Sequence, residues 1–226
     1  MDLEIALPQE VPVMTLPNVV FFPQALLPLH IFEPRYRRML KDVLATNRLF
    51  AVAGLDARLA GAADSFEPPH AIACIGIVRA CQKYENGTSN LLLQGLARIK
   101  VVKILADEPY RRIRMQTLMS DPGAGTAENR RLQTELSRLL AVKRRLAAGP
   151  SEITEFLKSV DDPEAFVDIA AFNLCENPAF KQKLLETLDV HSRLKLFMQQ
   201  LRTEIEAIKL RRKLQGGLPD DRISDN

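Results

Sequence analysis

At 226 residues, with 46% hydrophobic and 26% charged side chains, the chain can bury a full core and has the composition of an ordinary globular protein. Its 31 basic and 28 acidic side chains leave a net charge of only +3, against the clustered excess usual in a nucleic-acid binder. No apolar run approaches the roughly 20 residues of a membrane helix. The start, MDLEIALPQE, lacks the basic, apolar pattern of a secretory signal, and three cysteines fit a reducing compartment, so the expected address is cytoplasmic.

Through about Met119 the chain reads as strands. VPVMTL (Val11–Leu16) alternates, whereas ALLPLHIF (Ala25–Phe32) is nearly continuous apolar, the pattern of a strand covered on both faces. A helix is predicted from Pro34 to about Ala45, then an apolar strand, LFAVAGL (Leu49–Leu55), and a surface loop from Arg58 to His70. AIACIGIVRACQKY (Ala71–Tyr84) alternates strongly, and Gly76 within it predicts a bulge or a barrel corner. Asn86-Gly87 is a type I′ hairpin signal. It is followed by two returning strands, SNLLLQG and ARIKVVKIL, and by YRRIRMQTL (Tyr110–Leu118). About seven short strands predict a small barrel or sandwich.

DPGAGT (Asp121–Thr126) is the clearest linker signal. Beyond it the period becomes helical. One helix is predicted from about Ala127 to Ala147, ending at Gly149-Pro150, and a shorter one after Ser151. Asp162-Pro163 and Asn177-Pro178 each set a capping side chain before a proline at the first helical position. The last helix begins after Asp189, with Val190, Leu194, Phe197, Leu201, Ile205 and Ile208 on one stripe. The expected organisation is a β-rich lobe over residues 1–120, a linker at 121–126, an α-helical lobe over 127–215 and a disordered tail at 216–226.

Recognisable catalytic motifs are missing. No glycine precedes a lysine, which removes the phosphate loop, and neither G-x-G-x-x-G nor G-x-S-x-G occurs. His30, His70 and His191 are scattered, and Cys74 and Cys81, seven apart on one predicted strand, should face opposite sides of the sheet unless a bulge intervenes. No metal site, no cofactor and no enzyme activity are expected. Two apolar features could bind something. Phe21 and Phe22, in VVFFP (Val19–Pro23), are either core plugs or an exposed patch, with Leu26 beside them. The end of the last helix, with Ile208, Leu210 and Leu214, is either frayed or able to dock another helix.

LPNVVFFPQALLPLHIFEPRYRRML, followed in order by IGIVRAC, LLLQGLARIKVV, EPYRRIRMQTL and KQKLLETLDVHSRLKLFMQQL, resembles the Lon protease N-terminal, or substrate-binding, domain. The resemblance spans roughly Pro12 to Ile208. It implies an α+β fold, with an N-terminal PUA-like pseudo-barrel followed by a C-terminal α-helical bundle. The sequence as given contains neither the ATPase nor the peptidase module of full-length Lon proteases, which implies a stand-alone, non-catalytic module. The implied role, in protein quality control, is recognition of unfolded or damaged polypeptide or docking to a separate ATP-dependent protease or ATPase; the residues themselves offer Phe21, Phe22 and Leu26 as the polypeptide-binding candidates. No membrane partner is expected. RNA binding by the PUA-like lobe is the alternative. A pI of about 8.8 favours it, while the balanced charge, the absence of tryptophan and only three tyrosines for base stacking oppose it. Glu33, Pro34, Arg35 and Tyr36 are expected to form a strand-to-helix junction: Pro34 in the first helical turn, Arg35 folded back toward Glu33 or a strand-end carbonyl, Tyr36 packed on the sheet.

Overall fold

The computed structural model describes residues 6–59, 67–147 and 152–215. The expected tail at 216–226, the helix stop at Gly149-Pro150, the Ser151 cap and most of the Arg58–His70 loop lie outside these residues. Among the described residues six strands form one mixed sheet: β1 (Glu10–Leu16), β2 (Leu26–Ile31), β3 (Leu49–Gly54), β4 (Ile72–Lys83), β5 (Ser89–Ala106) and β6 (Arg112–Leu118). Among the same residues there are also six helices: α1 (Pro34–Leu44), α2 (Thr126–Ala147), α3 (Glu152–Leu157), α4 (Pro163–Leu174), α5 (Pro178–Glu186) and α6 (Val190–Gln215).

The strand order is β2-β5-β4-β3-β1-β6, and β5 also pairs with β6. That second pairing closes β5-β4-β3-β1-β6 into a ring, with β2 attached, among the described residues, to β5 alone. Residues at alternate positions of all five ring strands fill its interior: Val11 and Val13, Leu49, Ala51 and Ala53, Ala73 and Ile75, Ile99, and Ile113 and Met115. Such alternation is what a closed sheet requires, because each strand turns one row of side chains inward. Burying each larger member stabilises the fold by about 1.5–3 kcal/mol.

SNLLLQG and ARIKVVKIL are one strand, β5, of 18 residues, not two. It stays continuous because its first part pairs with β2 while its last part pairs with β6, with β4 running alongside. The register shift beside Gly76 puts the extra residue, Leu96, on β5 across from it, and a second shift makes Arg79 an extra residue of β4. Arg79 lies between Cys74 and Cys81, so counting alternate residues does not settle their faces. Cys74 is buried and Cys81 half-buried.

The β4–β5 turn is also not type I′. Gly87 alone is left-handed (φ 79°), and Tyr84 N–H donates to Thr88 O at 3.0 Å across a three-residue loop. Asn86 accepts from the Thr88 N–H and hydroxyl at 3.0 and 2.9 Å, which holds it in an ordinary turn.

The chain divides into two compact units, and the division is discontinuous in sequence. The first comprises Met1–Asp121 and Asp168–Leu188, the second Pro122–Val167 and Asp189–Asn226. The expected unbroken helical lobe from 127 to 215 is therefore corrected, because the stretch ending with α5 packs with the strands. The reason is polar as well as apolar. Arg98 of β5 makes two bonds to Asp168 (2.7 and 2.6 Å) and one to Leu185 O (3.0 Å), and Gln182 donates to Ile72 O at 3.0 Å.

In the second unit Leu136 and Leu140 of α2 are buried, as are Val190, Leu194, Phe197, Met198, Leu201 and Ile205 of α6, and Lys143 pairs with Glu204 at 2.8 Å. Ile208 is half-buried, and Leu210 and Leu214 are exposed. The Pro122–Thr126 stretch belongs here and is exposed but tied: Pro122 O accepts from the Asn129 side chain at 2.8 Å, and Gly123 (φ 68°) lies against the Asp189 carboxylate. The two expected caps form, with Asp162 accepting from Ala165 N–H (2.8 Å) and Asn177 from Phe180 N–H (3.0 Å), and Asp189 also accepts from Ser192 N–H (2.5 Å).

Candidate polypeptide-binding site

Of the three residues singled out for binding, two are core. Phe21 is 1% exposed and Phe22 is 0% exposed, so neither offers a surface. After the left-handed Asn18 the segment runs close along the sheet, where two glycines make room for it. A Cβ on Gly95 would lie 2.0 Å from Phe22 O, and one on Gly76 would lie 2.9 Å from the Phe21 ring. Gly76 and Gly95 thus mark a close approach of chain to chain. Phe21 meets Phe172 edge-on at 6.2 Å, and the Arg98 guanidinium lies over Phe22 at 5.9 Å.

Leu26 is different: it is 51% exposed on β2. The expectation that both faces of this strand are covered is corrected, since Leu27 and Ile31 are buried while Leu26, Pro28 and His30 alternate outward. Among the described residues β2 pairs only with β5, so it is an edge strand. Pro28, which has no N–H to donate, is compatible with that place and was the signal for it. Phe32, 60% exposed, continues the outward row. His30 stacks on Phe32 with centroids 6.0 Å apart, and its Nδ1 lies 2.6 Å from Asn90 Oδ1. Asn90 in turn donates to the Tyr84 hydroxyl at 2.8 Å. The row thus combines an apolar surface with an unpaired strand edge, the two elements an extended peptide can use.

Beside it, Arg37, Arg38 and Lys41 of α1 and Lys83, Tyr84 and Ser89 of the β4–β5 hairpin line a cleft of about 410 Å³. Arg38 pairs with Asp42 at 3.1 Å, and the Arg37 guanidinium lies on Gly87. A second cleft, about 470 Å³, lies where β3 ends and is lined by Asp56, His70 and Gln182 among others, with no serine, threonine or cysteine among them. Arg58 donates to both oxygens of the buried Asp56 at 2.9 and 2.8 Å. That hydrogen bonding holds the Asp56 carboxyl down at about 2.

The Glu33–Tyr36 stretch is built as a junction. Pro34 opens α1, and Arg35 Nε donates to Glu33 at 2.9 Å. Glu67 takes both remaining Arg35 nitrogens at 2.8 and 2.9 Å, a partner that sequence spacing does not announce. The guanidinium lies 4.5 Å from the centre of the buried Tyr36 ring. The bonds to Glu67 raise the Arg35 pKa above its ordinary value, and burial raises that of Tyr36. Among the described residues no group of three or more His, Cys, Asp or Glu side chains could hold a metal ion, and no helix is long and apolar enough to cross a membrane.

With this geometry in place, comparison with known proteins identifies the family. The chain belongs to the substrate-binding domain family of the ATP-dependent protease La (LON), whose family model matches residues 10–203. It is 28% identical over 219 residues to a Lon protease of Desulfosudis oleivorans, covering 95% of this chain and 26% of that protein. It is 29% identical over 224 residues to the Lon protease of Syntrophus aciditrophicus, covering 95% of this chain and 28% of the relative. The chain thus spans about a quarter of the length of these relatives.

Two solved structures share the fold. The N-terminal domain of the Mycobacterium avium complex Lon protease superimposes with a TM-score of 0.65 at 20% identity, covering 85% of this chain and 98% of that one. A Lon N-terminal domain protein from Xanthomonas campestris gives 0.58 at 20% identity, covering 84% and 97%. The β-rich region followed by helices is the architecture they have in common with this chain.

Proposed function

We propose that this chain is a non-catalytic recognition module that binds unfolded or damaged polypeptide, in a reducing, cytoplasmic setting, on behalf of a Lon-type ATP-dependent protease. Membership of a substrate-binding domain family supports the class of ligand. The outward row Leu26, Pro28, His30 and Phe32 on an unpaired edge strand is the observation that carries the site. An extended segment laid along β2 would satisfy backbone groups there while its apolar side chains cover Leu26 and Phe32. Apolar contact is non-directional, so little sequence preference is needed, which suits a reader of unfolded chains. Affinity for one copy should be weak, on the order of micromolar, because a single site lacks avidity.

Titration of a permanently unfolded protein at low and high salt tests the reading, with single-stranded RNA as the competing ligand. Polypeptide binding that persists at high salt and falls several-fold in Leu26→Ser with Phe32→Ser is the expected result. RNA binding that collapses with salt, with no binding of polypeptide, would overturn it.

A further inference from the structure

The basic cleft beside the apolar row narrows the class of polypeptide, on the reading just proposed. Three of its cations, Arg37, Lys41 and Lys83, make no ion pair among the described residues, and no carboxylate lines it. Asp42, which does not line the cleft, is hydrogen-bonded by Arg38 and Tyr110 and meets Lys41 only through longer-range attraction. For a chain of net charge +3 this is a local concentration of unmatched positive charge, held in a concave surface that focuses the field toward an anion. The apolar row, by contrast, has no formal charge at Leu26, Pro28 or Phe32.

The two are physically joined. Tyr84 lines the cleft and receives the Asn90 amide, which holds His30, which stacks on Phe32. Pro34, only two residues beyond Phe32, also lines the cleft. Two extended residues span about 7 Å, so one short segment reaches both.

We infer that row and cleft form one binding surface whose preferred ligand is a polypeptide segment with acidic side chains within a few residues of its apolar ones. The apolar row anchors the segment; Arg37, Lys41 and Lys83 receive its carboxylates. A segment with apolar residues alone fills half the surface, and one flanked by lysines meets like charge.

The test uses three labelled synthetic peptides with the same leucine- and phenylalanine-rich core, flanked by glutamates, by glutamines or by lysines. Anisotropy titrations of the intact chain should give affinity about tenfold higher for the glutamate peptide than for the glutamine peptide at low salt, from several exposed ion pairs acting together. The gap should close as salt shortens the Debye length, and the lysine peptide should bind weakest. Lys41→Glu with Lys83→Glu, both exposed positions, should reverse the order of the glutamate and lysine peptides. Equal affinity for the glutamate and glutamine peptides would overturn this inference and leave the broader reading standing. No binding of any peptide would overturn both. Tight binding of single-stranded RNA that is indifferent to Phe32→Ser would overturn it in favour of a plain anion site.

Discussion

The Arg98 guanidinium and the Asp168 carboxylate face each other through two hydrogen bonds, at 2.7 and 2.6 Å, with both side chains shut off from water. The pair joins β5 to α4 within the first unit, and Leu185 O takes a third guanidinium hydrogen. Removing one partner strands the other as a buried charge. Asp168→Ala is therefore expected to destabilise the fold by about 3–5 kcal/mol, and replacement of both residues by apolar ones of similar size by much less. Urea denaturation of the single and double variants checks this; a single-variant loss below about 1 kcal/mol would show that the pair is not what holds Asp168–Leu188 to the strands.

Tyr36 and Arg35 should separate by burial. Tyr36→Ala empties a core position and should cost about 3 kcal/mol. Arg35 is partly exposed, with 30% of its side chain accessible, and Arg35→Ala should cost about 1 kcal/mol through its lost bonds to Glu33 and Glu67. Thermal melts of both variants alongside peptide binding distinguish a junction from a ligand contact: unchanged melting with lost binding would contradict the structural role.

The thiols should react unequally. Burial pushes the Cys74 thiol up, away from the reactive thiolate, and Cys175 is also buried. Cys81 is only half-buried, so a thiol reagent applied to the native chain should modify Cys81 first and the other two only on unfolding. Peptide mapping that finds Cys74 labelled as fast as Cys81 would contradict the burial of Cys74 on the outer side of β4, near Arg98 and Asp168.

Acid should reveal the Asp56–Arg58 contact. The folded carboxyl sits near 2 because Arg58 hydrogen-bonds its charged form, whereas an unfolded aspartate titrates near 3.9. The folded state therefore binds its proton later, so the stability from this group is fully present above about pH 5 and fades as pH falls toward 2. Denaturation curves of the parent and Asp56→Asn should differ at neutral pH and converge over that acid window. A difference that stays constant down to pH 2 would show that the charge of Asp56 contributes nothing.

Local signals in the sequence were good guides to local structure. Alternation found the strands, and Asp162, Asn177 and Asp189 cap helices where a polar side chain precedes the helix, followed by proline at the first two. What stayed hidden depends on distant partners. Phe21 and Phe22 look alike whether they plug a core or face solvent, and only Gly76 and Gly95 across the sheet decide. The bonds of Arg98 and Arg35 go to residues 70 and 32 positions away, which no period encodes. The candidate surface was half legible: Leu26 was found, but the outward row through Phe32 follows only once Pro28 is taken as marking an edge.

A ribosome makes Arg98 well before Asp168, and the first unit lacks its last stretch until Leu188 has been made. Until Asp168 and Leu185 have been made the guanidinium has neither of these partners to meet, and the ring is expected to stay open to degradation while the intervening helices are synthesised. Nascent chains arrested after Asp121 should remain protease-sensitive throughout their strands, and those released after Leu188 should not. Protection that is already complete at the earlier arrest would show that the returning segment merely decorates a barrel able to stand alone.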